Sequence, residues 1–488
     1  MSEAATRLIV GPFNRVEGDL EVRLEMEDGV VTAAFVNATL FRGFERILEG
    51  RDPSDALVIA PRICGICSVS QSHAAALALA GVMGIAPARN GQIAANITLA
   101  TENLADHLTH FHLFFMPDFA RGPYRDRPWF DRAEARFAAL RGASVRPMMQ
   151  TRALLLHVMG LIAGHWPHTL AIQPGGFSRG VDARDKIKLL AILSGVRAAL
   201  EERLFGTALE RVAALADPEE LSAWRMHGPE GDFRLFLEIA ADLHLETLGR
   251  AYDRFLCYGA YPGGGADGAP LYPSGLFAHG LEHPLDLEAI AEDHTYARME
   301  NRGLMHPPFM GSTSPDGADE QGYSWCKAPR LSNEPCETGA LARQVMDGQP
   351  LVRALVARAG GNVFSRVIAR LLEVARVLIQ METWTKALEP GAPWCVPAGT
   401  IGTGRAVGLT EAARGALGHW LRVENGRIAG YQIIAPTTWN FSPRDARGLP
   451  GPLERALIGA PVQSGETTPV SVQHIVRSFD PCMACTVH

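Results

Sequence analysis

Arg62-Ile63-Cys64-Gly65-Ile66-Cys67 lies near one end of the chain, and Asp480-Pro481-Cys482-Met483-Ala484-Cys485-Thr486-Val487-His488 stands at the other. Two residues between cysteines let a turn or a helix start aim both sulfurs at one metal. Two such pairs supply four soft ligands, which suit nickel, zinc or an iron–sulfur centre, and spacing alone does not choose among these. Closed structural zinc is the commonest use of paired motifs of this kind. A redox dithiol fits less well, because neither pair sits in a thioredoxin-like βαβ unit. If the pairs share one site, the intervening core must bring residues near 64 and 482 together.

Upstream of the first pair, Leu20, Val22 and Leu24 alternate with Glu21, Arg23 and Glu25. Glu27-Asp28-Gly29 is a turn signal and Val30 to Val36 runs apolar, so this segment predicts a β-hairpin. The cysteine pair itself falls in a loop and helix from Asp55 to Leu79. Helical spacing of apolar residues predicts long helices over Asn90 to Met116, ended by Pro117, and over Arg152 to Gly164, Ala183 to Val212, Phe233 to Arg250 and Val363 to Trp384. So much apolar helix surface implies a central bundle. Gly259 to Phe277 reads as an ordered loop, Asp293 to Pro335 as mixed β and loop, and Ile428 to Ile434 as a strand. The expected class is mainly α with peripheral β (α+β). A single domain over 1–488 has a β-rich part (1–60), a helical core (61–258), a loop- and β-rich insertion (259–345) and a C-terminal helical, metal-binding part (346–488).

The chain has 488 residues and a net charge of −7 without any Lys/Arg run, which argues against a nucleic-acid partner. No apolar stretch is long enough to span a bilayer. Ala153 to Ala163 and Ile187 to Leu200 come closest, and both are better read as buried helices. Met1 to Arg15 lacks a signal core and a twin-arginine pair, so the expected location is cytoplasmic, with co-export to the periplasmic face on a partner as the alternative. Four more cysteines, Cys257, Cys326, Cys336 and Cys395, stand singly and read as small buried apolar residues.

The flanking motifs resemble the large subunit of nickel–iron hydrogenases nearly end to end. They are Phe13-Asn14-Arg15-Val16-Glu17-Gly18, Phe41-Arg42-Gly43-Phe44-Glu45, Gly50-Arg51-Asp52-Pro53, Ala413-Arg414-Gly415-Ala416-Leu417-Gly418-His419, Ala435-Pro436-Thr437-Thr438-Trp439-Asn440 and Pro443-Arg444-Asp445. A related quinone-binding subunit of respiratory complexes shares this ancestry but lacks the cysteines, and both pairs are intact here. The resemblance implies the hydrogenase large-subunit fold and heterolytic cleavage of H2. It also implies a nickel–iron centre whose iron carries CO and two cyanides, installed by maturation proteins. Cys64 and Cys482 are then terminal nickel ligands, while Cys67 and Cys485 bridge the metals. Splitting hydrogen needs a Lewis acid and a nearby base. The resemblance gives the base to Cys482 and the outward proton relay to Glu17, whose bland alternative is an ion pair with Arg15. Arg414 and Thr437 match donors to the diatomic ligands, with Pro436 and Gln71 beside the cofactor. Glu45, His488 and the Ile434 carbonyl match the ligands of a structural Mg2+. Once the four cysteines are used, no iron–sulfur motif remains, so an iron–sulfur small subunit is the implied partner, in a heterodimer or a dimer of heterodimers. His107, His110 and His112 read as polar or packing residues of the long helix, lining the partner interface.

Several positions depart from the usual pattern. Gln71 stands where catalytic members have His, and it can donate a hydrogen bond without carrying charge. Ile66 and Phe114 replace smaller Val and Leu at positions thought to line the gas channel, narrowing it for oxygen more than for hydrogen. The chain stops at His488, where many members carry a removable extension. These features resemble the hydrogen-sensing regulatory subgroup, which has modest turnover and signals to a histidine kinase. The rivals are a matured energy-conserving uptake hydrogenase and, from another class, a zinc-binding structural subunit. Asp19, where many members have His, has no reading.

Overall fold

The computed structural model describes residues 6–487. The N-terminal sheet is antiparallel, with strands β1 (Thr6–Val10), β2 (Leu20–Glu27) and β3 (Val30–Ala38) in that order. The expected hairpin is there. Leu20, Val22 and Leu24 are buried, and Asp28 and Gly29 take φ of 49° and 74° in the two-residue turn. Strand β1 extends the hairpin and was not foreseen.

Helix α1 (Phe44–Leu48) follows, and then the first cysteine loop leads into α2 (Ser68–Met83). The predicted bundle is present. Helix α3 (Arg89–Thr109) is buried along almost its whole length and packs against α2, α4 (Val145–Ala163) and the long C-terminal helix Val363–Ala387. Helix α5 (Ala183–Ala199) completes the bundle.

Three helix ends differ from expectation. The α3 helix gives way at His110 to a wide turn (His110–Phe115), and Pro117 opens a new 3-10 turn (Met116–Ala120), where its missing N–H is not needed. After α5 the chain widens over Leu200–Phe205 and stops at Gly206. That residue has φ +65°, and a Cβ there would meet the Pro229 carbonyl at 2.7 Å. Helix α6 (Asp232–Asp242) ends eight residues early, because His244 adopts a left-handed conformation.

Within 259–345, the loop predicted over Gly259 to Phe277 is present over residues 261–271, and strand replaces it at both ends. Strands β4 (Phe255–Ala260), β5 (Tyr272–Ala278) and β6 (Leu281–His283) are antiparallel. The mixed region contains β7 (Ile290–Asp293) between β8 (Met305–His306) and β9 (Ala328–Leu331).

Helices α7 (Ala340–Met346) and α8 (Val363–Ala387) follow, the latter started by an Asn362–Ser365 capping box. The C-terminal part is less helical than expected. Strands β10 (Gly404–Ala412), β11 (Gly415–Glu424) and β12 (Arg427–Ile434) form an antiparallel sheet that packs on α2, and only β12 was predicted. Residues Gly415 to Leu421 of β11 are buried on both faces, so the two-residue alternation that marks a strand is missing. Short helices α9 (Pro436–Asn440), α10 (Val470–Ser478) and α11 (Met483–Thr486) end the chain.

Candidate metal centre

Backbone hydrogen bonds bring the two ends of the chain together. The Glu17 amide donates to the Pro481 carbonyl (3.3 Å), and the Met483 amide donates to the Glu17 carbonyl (2.7 Å). Arg42 joins the two cysteine segments, its Nη2 donating to the carbonyls of Ile63 (2.5 Å) and Ala484. Cys67 sits at the start of α2 and Cys482 at the start of α11. All four cysteines are buried.

Their sulfurs converge. Cys64 Sγ is 3.5 Å from Cys482 Sγ, Cys485 Sγ is 3.1 Å from Cys482 Sγ, and Cys67 Sγ is 3.0 Å from Cys485 Sγ. Cys64, Cys482 and Cys485 lie mutually within 4.8 Å, and Cys67 joins that group through Cys485. A closed tetrahedral zinc site with Zn–S bonds near 2.3 Å holds all its sulfurs about 3.8 Å apart. The nearest sulfur pairs here are closer than that, and the four sulfurs form one cluster able to serve as a four-thiolate donor set for a metal centre. Hydrogen bonds from Cys482, Cys485 and Cys67 pull the Cys64 thiol well below its ordinary value, and the same shared bonds, with burial, push Cys67 and Cys485 well above theirs. Four thiolates cannot coexist here without metal charge.

Charged groups surround the sulfurs. Burial raises the Glu17 carboxyl above its ordinary value, Arg414 opposes this, and Cys64 and Asp480 reinforce it. The expected bland partner of Glu17 is absent, since Arg15 instead donates to the Phe114 carbonyl (3.1 Å) and pairs with Asp118. Arg414 lies in the tight turn between β10 and β11. Its Nε donates to the Asp480 carbonyl (2.9 Å), its Nη2 pairs with Asp480 (3.1 Å) and its Nη1 pairs with Asp106 (3.0 Å). Asp480 is held below the usual carboxylate range, because Arg414, helped by His110 and Arg370, outweighs burial. Thr437 Oγ1 accepts from the Cys482 amide (3.3 Å), and the buried Pro436 starts α9.

Gln71 is one turn beyond Cys67, fully buried, and accepts from His419 Nε2 (2.8 Å). Ile66 borders a small cavity, about 30 Å³ for water-sized occupants, with Glu102, Asp106, Thr109, Arg152 and Trp166. Phe114 is not part of that lining. The histidines of the long helix and its wide turn are buried within the chain, so they do not line a partner interface. His107 meets Glu373 (3.2 Å), His110 meets the Arg477 carbonyl (2.6 Å) and His112 meets Asp232 (3.1 Å). Cys257, Cys326 and Cys336 are buried as expected, but Cys395 is exposed, in a loop beyond the core.

The positions expected to hold Mg2+ are partly assembled. Glu45 Oε1 accepts from the Ile433 amide (2.7 Å), beside Ile434 at the end of β12, and Oε2 accepts from Thr313. His488 lies outside the described residues. The Lys327 ammonium is 3.6 Å from Glu45, 2.9 Å from Glu292 and 2.9 Å from Gln432 Oε1. Glu292 Oε1 has no partner among the described residues. Two carboxylates against one ammonium leave a negative charge, and the oxygen donors fit a hard divalent cation.

Sequence reasoning missed other supports. Glu102 accepts from the amides of Val69 (2.8 Å) and Ser70 (2.9 Å), from the Ser70 hydroxyl (2.8 Å) and from Trp166 Nε1 (3.1 Å), so it caps the helix that starts at Cys67. Burial pushes its carboxyl up to about 7. The available signal was a charged residue in a helix otherwise patterned as core. Asp106, on the same helix, carried the same signal, Arg42 stood in a quoted motif that did not reveal its role, and Arg343 has no such local signature.

A family model described as nickel-dependent hydrogenase matches residues 42–120 and 236–488. The chain is 29% identical to the periplasmic NiFeSe hydrogenase large subunit of Desulfomicrobium baculatum, covering 100% of this chain and 97% of that protein. It is 28% identical to the Hydrogenase-1 large chain of Escherichia coli (strain K12), covering 100% and 96%. Among solved structures, the Ni-Fe-Se hydrogenase from D. vulgaris Hildenborough in the reduced state superposes with a TM-score of 0.84 at 28% identity, over 99% of this chain and 100% of that one. With its fold and four-cysteine site in agreement, this chain belongs to the nickel-dependent hydrogenase family as a large subunit acting on H2.

Proposed function

We propose that the chain cleaves H2 heterolytically at a nickel–iron centre held by Cys64, Cys67, Cys482 and Cys485, and does so to sense hydrogen. The observation that carries the chemistry is the backbone bridge that pairs Glu17 with Cys482, with Arg414 and Cys64 near enough to the Glu17 carboxyl to shift its ionisation. Bound there, a nickel–iron centre with CO and two cyanides on iron would supply the Lewis acidity for heterolysis. The residues of this chain do the rest. Cys482 Sγ accepts the proton, and Glu17, raised by burial, receives it and passes it outward. Arg414, fixed by Asp106 and Asp480, presents a buried guanidinium to the diatomic ligands, while Thr437 holds the Cys482 backbone and Pro436 packs beside it. Mg2+ would be held by Glu45 and the Ile434 carbonyl, with His488 as the further ligand the resemblance implies.

Three features support the sensing role: the uncharged Gln71 near a bridging sulfur, Ile66 beside a tight cavity, and the bulk of Phe114. In this reading the partners are an iron–sulfur small subunit, in a heterodimer that pairs again, and a histidine kinase. Maturation proteins install the centre, and the location is cytoplasmic. The periplasmic name of the D. baculatum relative favours a second reading, an uptake hydrogenase exported with its partner.

The test is an infrared spectrum of the protein with its small subunit, under hydrogen and under air, alongside metal analysis. One CO band and two cyanide bands that shift with hydrogen support the centre. Zinc without such bands refutes it. Little oxidised inactive state in air supports the sensor, and an accumulating inactive state supports the uptake reading. Glu17→Gln should abolish hydrogen–deuterium exchange with water, and unchanged exchange rules out the relay.

A further inference from the structure

The C-terminal sheet touches α2 at one very close point. Gly408 of β10 lies against α2 so tightly that a Cβ there would be 1.9 Å from the Ala74 carbonyl. Directly across the ladder from Gly408 is His419 of β11. The approach therefore delivers His419 to α2, where its Nε2 meets Gln71 Oε1 at 2.8 Å. On its other side, His419 Nδ1 meets the Tyr431 hydroxyl of β12 at 2.8 Å. Tyr431 pairs with Leu421 in the ladder, so it is the diagonal neighbour of His419 on the same face. Gln71, His419 and Tyr431 are all fully buried.

Direction follows from donor counting. A neutral imidazole has one donor and one acceptor nitrogen. If the Tyr431 hydroxyl donates to Nδ1, then Nε2–H donates to Gln71 Oε1, and the Gln71 amide nitrogen faces away from His419. That nitrogen has no hydrogen-bond partner among the described residues. The Gln71 amide donates to the Cys67 carbonyl (3.0 Å), so the two side chains are a helical turn apart on one face. That nitrogen bonds no sulfur in this structure, so a buried N–H2 one helical turn from Cys67 is left wanting an acceptor, which a thiolate held in a metal centre can supply. The reverse order would turn the Gln71 carbonyl oxygen toward the sulfur and require the Tyr431 proton to find another acceptor.

We propose that Tyr431 and His419 are positioning residues that lock the Gln71 amide with its N–H2 toward the Cys67 sulfur, and so set the electron density of a bridging thiolate. This rests on the nickel–iron reading above. It extends that reading to two residues of the sheet that touch neither metal nor substrate.

The experiment is infrared spectroscopy of the assembled heterodimer carrying Tyr431→Phe or Gln71→Ala, with nickel and iron content measured on each. The Phe variant is nearly isosteric, removes only the hydroxyl, and lets His419 adopt either tautomer. Its diatomic-ligand bands should split into two sets at unchanged metal content, one for each Gln71 orientation. Gln71→Ala should give a single shifted set, and adding Tyr431→Phe to it should change nothing further. A single, unshifted set in Tyr431→Phe, with Gln71→Ala shifted, overturns the lock. An unshifted Gln71→Ala spectrum overturns the amide–sulfur contact. Absence of the bands from the metal-loaded parent protein refutes the nickel–iron reading and this inference with it.

Discussion

Replacing Arg343 with Met removes the group that ties the bundle to the Arg414 turn. Arg343 is fully buried on α7. Its Nε and Nη2 hold both oxygens of Glu373 on α8 (2.9 Å each). Its Nη1 donates to Glu411 (2.8 Å) and the Ala412 carbonyl (2.8 Å), and Nη2 donates to the Ala413 carbonyl (3.0 Å). The last two carbonyls immediately precede Arg414. Breaking a buried ion pair from one side costs about 3–5 kcal/mol, and each orphaned carbonyl adds about 1 kcal/mol or more. His107 still reaches Glu373, and the Tyr258 amide still reaches Glu411, which limits the damage. A loss of about 5 kcal/mol is expected. With an unfolding entropy of ~2.1 cal/mol/K per residue, a chain this long loses about 5 °C in Tm. The assay is thermal unfolding of the heterodimer at fixed scan rate, alongside dye-linked hydrogen oxidation. Activity should fall with stability, because the Arg414 turn loses its anchor. Adding Glu373→Gln and Glu411→Gln should recover part of the Tm, since the stranded charges are then gone. A drop of less than about 1 °C with full activity would refute the reasoning.

Glu102→Gln probes the cap on α2. The Glu102 carboxyl is raised to about 7 in the fold against 4.5 ordinarily, so the unfolded chain releases its proton first and the parent loses stability as pH rises from about 4.5 to 7. The variant should lack that limb, worth roughly 3 kcal/mol over the window, and parallel stability–pH curves for the two proteins would exclude the assignment. His110 behaves oppositely. Burial and Arg370 depress it to about 3, so protonation of the unfolded state erodes stability as pH falls below 6.5, and His110→Gln should flatten the acid limb by about 1.4 kcal/mol per pH unit. Ile66→Val with Phe114→Leu should speed inactivation by oxygen, measured as loss of activity against time in air, and an unchanged rate would remove the narrow-channel account.

The long helices were legible because their periodicity is local. Helix α8 shows its apolar face in sequence alone, and it starts at the expected Val363. Their ends were less so, because a non-glycine residue at positive φ such as His244 announces nothing in the sequence. The C-terminal sheet was the largest omission. Strand β11 is buried on both faces, and its glycines read as punctuation. One of the sheet's glycines, Gly408, instead marks a close approach of strand to helix, a cause that composition cannot separate from a turn.

At the site, only the paired cysteines stood out by their own chemistry and spacing, while Glu17 and Arg414 were picked out by the resemblance of the motifs that hold them. The roles of the residues that hold them could not be read, because these residues act at a distance. Arg42 bonds two carbonyls more than 400 residues apart in the chain, those of Ile63 and Ala484. Glu102 caps a helix that starts more than 30 residues before it. Such groups have ordinary neighbours in sequence, and only the fold gives them a role. A mutation at one of them should therefore first alter how the sulfurs and Arg414 are held, and only through that the chemistry. Stability and spectroscopic position should move together in those variants, whereas Glu17→Gln should leave both in place and stop the proton.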